Sequence, residues 1–151
     1  MLCTYTACQD PCKNNLCGGN GTCQEEICIC NSGYELDEEG ACTIVSRTQF
    51  LGVYDALETC SQTTENHYID IIEHSSVDKI IIKNLYNHPN NEIIAQVEED
   101  TFSFSEQITA DNFVVTGRGW IADTDSLVYI QYKLSNFQSL KDSCMVSLSP
   151  K

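Results

Sequence analysis

The sequence predicts a small disulfide-dense module joined to an all-β domain of about eight antiparallel strands, closed as an up-and-down barrel. Three observations carry that reading. Of ten cysteines, eight fall within residues 1–42, and only Cys60 and Cys144 lie in the rest of the 151-residue chain. Residues 50–148 form a succession of short runs with period-two alternation, separated by polar turn-forming clusters. No window carries the periodicity of an amphipathic helix three turns long.

The cysteine-rich part comes first. From Cys12 the spacing is Cys12-x4-Cys17-x5-Cys23-x4-Cys28-x-Cys30-x11-Cys42. Zinc sites usually set two close Cys or His pairs across a longer loop, and here no histidine precedes His67. A Cys-x-x-Cys redox pair is absent as well. With Gly18, Gly19, Asn20, Gly21 and Gly33 between them, the six thiols fit a loop-rich scaffold held by three bridges. So short a segment cannot bury enough surface to fold unaided. Each bridge stabilises by roughly 2–4 kcal/mol by restricting the unfolded chain, while spacing alone leaves some fifteen pairings open. Such a cysteine density belongs to an oxidising compartment, so the protein is expected to be exported. The start MLCTYTACQD lacks the basic residues and apolar middle of a signal peptide, so an exported chain would be the processed form.

The six-cysteine order, the single residue between Cys28 and Cys30, the Gly21-Thr22-Cys23 approach and Gly33-Tyr34 after Cys30 together resemble an EGF-like domain, over residues 12–43. The resemblance implies the pairs Cys12–Cys23, Cys17–Cys28 and Cys30–Cys42, and sets residues 1–11 apart as an N-terminal segment. Calcium-binding members carry a run of acids and amides before the first cysteine. Here Cys8-Gln9-Asp10-Pro11 offers only Asp10, and QEEI between Cys23 and Cys28 is too short for the hydroxylation signature. No calcium is expected, and Glu25, Glu26, Asp37, Glu38 and Glu39 read as a solvated rim. Cys3 and Cys8 suit a local bridge; the rival reading makes Cys3 a lipid anchor of the bacterial lipoprotein kind.

Eight β-rich runs follow: QFLGVYDALE, HYIDIIE, DKIIIKNLY, EIIAQVE, TFSFS, FVVTGRGWI, LVYIQYKL and CMVSL. Alternation puts Ile93, Ala95 and Val97 on one face of their strand, Val128, Ile130, Tyr132 and Leu134 on one face of another, and Cys144, Val146 and Leu148 on one face of the last. Cys60 ends the first run and Cys144 begins the last. A bridge needs their Cα atoms within about 7 Å, and in a meander the first and last strands adjoin only if the sheet curls and closes. The barrel is therefore preferred to the alternative, a two-sheet sandwich.

Phe50-Leu51-Gly52-x-Tyr54 is similar to the Gly-x-Trp opening of lipocalins, with tyrosine for tryptophan. FLGVYDALETC, IIIKNLYN, the glutamine of SFSEQ, VTGRG and a cysteine in the final strand together resemble, over residues 46–149, the lipocalin-like domains of Gram-negative outer-membrane lipoproteins. Some of those carry an EGF-like module ahead of the β domain. The resemblance implies an exported protein of the bacterial outer membrane or cell surface. It would act through contacts with other envelope or extracellular proteins, as an accessory subunit of an envelope complex. The alternative is a carrier or receptor that holds a small apolar ligand or glycan in the barrel.

Charge narrows the partners. Twenty-two acids against eight bases give −14, a surface that repels nucleic-acid phosphates and anionic lipids. No apolar run reaches the ~20 residues of a membrane-spanning helix. Catalysis needs a nucleophile beside a base and a group that orients it. No Gly-x-Ser-x-Gly elbow exists, each cysteine has a candidate partner, and His67, His74 and His88 read as loop or strand-end residues. No enzyme and no cofactor is expected. Glu98-Glu99-Asp100 and Asp123-Thr124-Asp125 lack the spaced acids and glycine of a calcium loop, so no metal is expected.

In Gly117-Arg118-Gly119-Trp120 two glycines within a strand mark a bend or a close approach. Trp120 and Arg118 are candidate ligand contacts; otherwise Trp120 is a wall residue and Arg118 pairs with a nearby acid. Phe102, Phe104, Phe113 and Tyr129 are expected to fill the interior. Asn20-Gly21-Thr22 is an N-glycosylation triplet, and Asp125-Ser126-Leu127 resembles a bacterial O-glycosylation triplet.

Overall fold

A computed structural model describes residues 12, 17–123, 127–136 and 141–151. Among these there is no α-helix, and the architecture is all-β. The N-terminal module consists of two hairpins, β1 (Gly21–Gln24) with β2 (Ile27–Cys30), and β3 (Tyr34–Leu36) with β4 (Cys42–Val45). Disulfides join Cys12 to Cys23, Cys17 to Cys28 and Cys30 to Cys42. Sulfur atoms form the hub in place of an apolar core: Cys17, Cys28 and Cys42 are buried, with Cys23, Cys30 and Tyr34 packed on them.

The remaining strands are β5 (Gly52–Thr59), β6 (Thr64–Glu73), β7 (Lys79–Lys83), β8 (Glu92–Glu98), β9 (Thr101–Ile108), β10 (Phe113–Ile121), β11 (Val128–Asn136) and β12 (Lys141–Pro150). Each pairs antiparallel with its sequence neighbour, and β12 pairs with β5 to close an eight-stranded barrel. The closed sheet excludes the sandwich. Cys60, one residue past β5, is bonded to Cys144 of β12, with Cα atoms 4.0 Å apart. The four disulfides of the described residues suit an oxidising compartment.

The expected inward rows are buried: Ile93, Ala95 and Val97; Val128, Ile130, Tyr132 and Leu134; Cys144, Val146 and Leu148. Glu92, Glu98, Ser103, Gln131 and Lys133 point to solvent between them. The interior is apolar, and the exterior mixes these polar residues with exposed Val53, Leu57, Tyr68, Ile94 and Met145.

The interior is filled by a glycine–aromatic arrangement. Gly117 lies opposite Phe104 and Gly119 opposite Phe102 across the β9–β10 ladder. A Cβ on Gly119 would sit 2.1 Å from Cζ of Phe102, and one on Gly117 2.6 Å from Cζ of Phe104. The absent side chains are the space that the two rings occupy. Tyr129 does not join them. It shares a strand with inward Val128 and Ile130, so the period of two turns it outward, where it stacks on Trp120. Phe113 is only partly buried at the edge of the core.

Both ends of the barrel are stoppered. At one end a 3-10 turn, Ser46–Phe50, inserts Phe50, fully buried and edge-on to Phe102 at 5.1 Å between ring centroids. At the other, the turn Leu85–Asn87 brings Leu85 into the core and lays Tyr86 over it, beside His88 and Phe113. Where the β8–β9 backbone ladder stops, the amide of Gln107 takes its place, accepting from Ile94 N at 3.0 Å and donating to Ile94 O at 2.7 Å. That is the glutamine of the SFSEQ motif.

The module is seated on the Phe50 end. Gly33 has φ +86°, and its Cα lies so close to the β6–β7 turn that a Cβ would meet Asp78 N at 2.8 Å. Ser32 Oγ donates to Asp78 Oδ2 (3.1 Å). From the linker, Arg47 donates to the carbonyls of His74 (2.6 Å) and Ser76 (2.9 Å), and Gln49 donates to Glu99 O (2.6 Å).

Candidate functional site

Two places combine polar chemistry with shape. The first is buried at the Tyr86 end of the barrel. Alternation along β5 points Tyr54, Ala56 and Glu58 inward, and along β6 it points His67, Ile69 and Ile71 inward. Glu58 is only 4% exposed and accepts a hydrogen bond from the Tyr132 hydroxyl at 2.6 Å. His67, read from the sequence as a loop or strand-end residue, is instead an inward residue of β6. Its side chain is 4% exposed, Nε2 lies 3.9 Å from Glu58 Oε2, and neither ring nitrogen has a hydrogen-bond partner among the described residues.

Burial pushes the Glu58 carboxyl up, opposed by the Tyr132 hydrogen bond and then by the His67 charge. Burial, then the Glu58 charge, pushes the Tyr132 phenol up, so Tyr132 is a donor and not a base. The group would serve as an acid–phenol pair capped by an imidazole. Cys60 and Cys144 at this end are joined to each other, so neither sulfur is available as a thiolate nucleophile. The void beside the cluster, lined by Tyr86, Asn91, Phe113 and Tyr132 among others, has a volume of only about 10 Å³. That is about one water-sized sphere and leaves no room for a ligand.

The second place is on the outside. A cleft of about 770 Å³ separates β2 and β3 of the module from the β8–β9 turn, lined by Asn31–Leu36, Ser46 and Val97–Thr101. Its charged lining residues are Glu35, Glu98, Glu99 and Asp100. Glu98 and Thr101 also border a second depression of about 470 Å³ that runs over β9 and β10 to Arg118 and Trp120. Trp120 stacks on Tyr129 at 5.9 Å, and the guanidinium of Arg118 lies over the indole at 5.7 Å. Arg118 also reaches Gln131 Oε1 at 3.4 Å. The acid expected as its partner is replaced by an aromatic face, because Trp120, two residues on, shares its side of β10.

Asp78 holds the floor of the junction beside this cleft. Its carboxylate accepts from Ser76 Oγ, from Gln96 Nε2 (3.0 Å) and from Ser32 Oγ (3.1 Å). The Ser76 hydrogen bond first, then that of Gln96, against the opposing effect of burial, holds its carboxyl down at about 2. A carboxyl held below its unfolded value contributes stability that is complete above about pH 4 and lost as the pH falls through about 2. Urea midpoints measured from pH 5 to pH 2 should therefore fall more steeply for the wild type than for Asp78→Asn. Parallel curves would contradict this role.

Of the other residues singled out from the sequence, Asn20 lies apart from both places. Asn20 donates through Nδ2 to Cys42 O at 3.1 Å, so its amide braces the module. Glu98-Glu99-Asp100 forms the exposed β8–β9 turn at the cleft rim. Cys3, Cys8, Asp125 and Ser126 lie outside the described residues. Glu58, His67 and Tyr132 were missed as a group, although all three stand at positions of apolar parity in their strands, which is a readable sign.

Comparison of the chain with models of protein families, with curated proteins and with solved structures finds no match. The fold itself sets the class: a closed eight-stranded antiparallel barrel with a disulfide-held module seated on one end.

Proposed function

We propose that this is an exported, non-enzymatic protein of the cell envelope or cell surface that works by contact with other proteins. The module is read as EGF-like and the barrel as lipocalin-like. First-to-third, second-to-fourth and fifth-to-sixth pairing supports the first reading; the meander closed by β12 on β5 supports the second. The observation that carries the functional reading is the filled interior. Phe102 and Phe104 lie over glycines, Phe50 and Tyr86 cover the ends, and the spaces large enough for a partner are on the outside. A carrier needs an enclosed, largely apolar pocket of ligand size.

The test is a titration with cis-parinaric acid and with retinol, followed by fluorescence and by native mass spectrometry. No saturable one-to-one complex should form. A stoichiometric complex would overturn the reading in favour of a carrier. Attachment to the outer membrane would be through a lipid on Cys3. An intact mass with a diacylglyceryl group there supports it, and a Cys3–Cys8 disulfide in the native protein refutes it.

A further inference from the structure

We infer that the cleft between the module and the β8–β9 turn, continued over β9 and β10 to Trp120, is a docking track for an extended basic segment of a partner protein. The inference rests on the contact reading above and assigns it to one surface. Four features converge on it. The cleft and the second depression, about 770 and 470 Å³, adjoin at Glu98 and Thr101, side by side as an extended chain needs. Among the described residues the cleft is lined by four acids and by no lysine or arginine, and Arg118 lies only in the second depression, so a cationic segment meets a complementary potential in the cleft, reinforced by the chain's net charge of −14. Glu35, which lines the cleft, has a buried Oε1 with no hydrogen-bond donor among the described residues, and an ammonium or guanidinium that reached it would supply one.

The far end of the path carries an aromatic anchor. Tryptophan, tyrosine and arginine dominate the binding energy of protein interfaces, and here Arg118, Trp120 and Tyr129 are stacked in one pre-ordered group. Apolar contacts are available within the cleft too, at Tyr34 and at Leu36, which is 47% exposed.

The test uses fluorescein-labelled ten-residue peptides that alternate lysine with leucine, tyrosine or tryptophan, with matching glutamate peptides as controls. Anisotropy is read on the wild type, on Glu98→Lys, on Trp120→Ala, and on Glu106→Lys, the two charge changes altering net charge equally. Glu106 is an exposed acid on β9 far from the β8–β9 turn and controls for net charge. The expected result is saturable binding of a basic peptide, weakened at least about tenfold by each of the first two changes and less than about twofold by Glu106→Lys. Circular dichroism confirms that the variants fold. Equal weakening by both charge changes, no effect of Trp120→Ala, or no saturable binding overturns the track. A photo-crosslinker in the native host separates the two levels of the argument. A protein adduct formed from Met145 on the outer face of β12 but none from Trp120 sinks the track alone. No adduct from either position sinks the contact reading as well.

Discussion

Replacing Cys60 and Cys144 together by alanine should lower the stability of the protein by about 4.5 kcal/mol, the chain-entropy value for a bridge of this span. The two residues are separated by 84 positions, so the cross-link removes a large set of unfolded conformations. It also fastens the β5–β12 seam, the one pairing in the barrel whose strands are not joined by a short connection. The other ladders are hairpins and re-form locally, whereas this one needs the ends of the domain to meet. The effect should appear as a lower urea midpoint and a steeper slope, because the denatured chain without the cross-link expands and exposes more surface. Refolding should slow less than unfolding accelerates if the seam forms late. A double alanine variant within about 1 kcal/mol of the wild type would mean that the seam is held by its strands alone.

The second large effect belongs to Gly119. Valine suits a strand better than glycine in general, so a surface position would gain from Gly119→Val. Here the added Cβ would fall 2.1 Å from Cζ of Phe102, a ring that Phe50 meets edge-on at 5.1 Å. The ring has little room to yield, and overpacking of this kind costs about 1–3 kcal/mol. The same ring meets the linker residue that stoppers the barrel, so the strain should reach the module–barrel junction. Phe102→Leu alone removes packing, but combined with Gly119→Val it should recover part of the loss, a non-additivity that thermal midpoints would show. Gly119→Val at wild-type stability would place the Phe102 ring elsewhere.

How much of this was legible in the residues depended on how local each feature is. Alternation is a property of a single strand, so the inward rows of β8, β11 and β12 could be read directly. The misplacement of Tyr129 came from treating it as a bulky filler when its neighbours Val128 and Ile130 already claimed the inward parity. Closure was legible because one covalent constraint, Cys60 to Cys144, ties the two ends of the meander. The Glu58–Tyr132–His67 cluster joins three strands, and its members meet only once register is known. Even so, an acid in line with Tyr54 and Ala56, and a histidine in line with Ile69 and Ile71, are anomalies that the pattern exposes. The seat of the module was not legible at all. It depends on Gly33 fitting a turn forty-five positions away at Asp78, and nothing periodic connects them. The cleft beside it is a product of that docking, so the candidate surface lay beyond sequence reasoning for the same reason.

The claim on which the rest depends is that side chains, and not a guest molecule, occupy the barrel. The chemical shifts of the Gly117 and Gly119 α-protons test it most directly. With the rings of Phe104 and Phe102 stacked over these two glycines, at least one α-proton of each should resonate far upfield of its random-coil position, with NOEs to the ring protons. Ordinary shifts without those NOEs, together with contacts to a co-purifying ligand, would contradict the account.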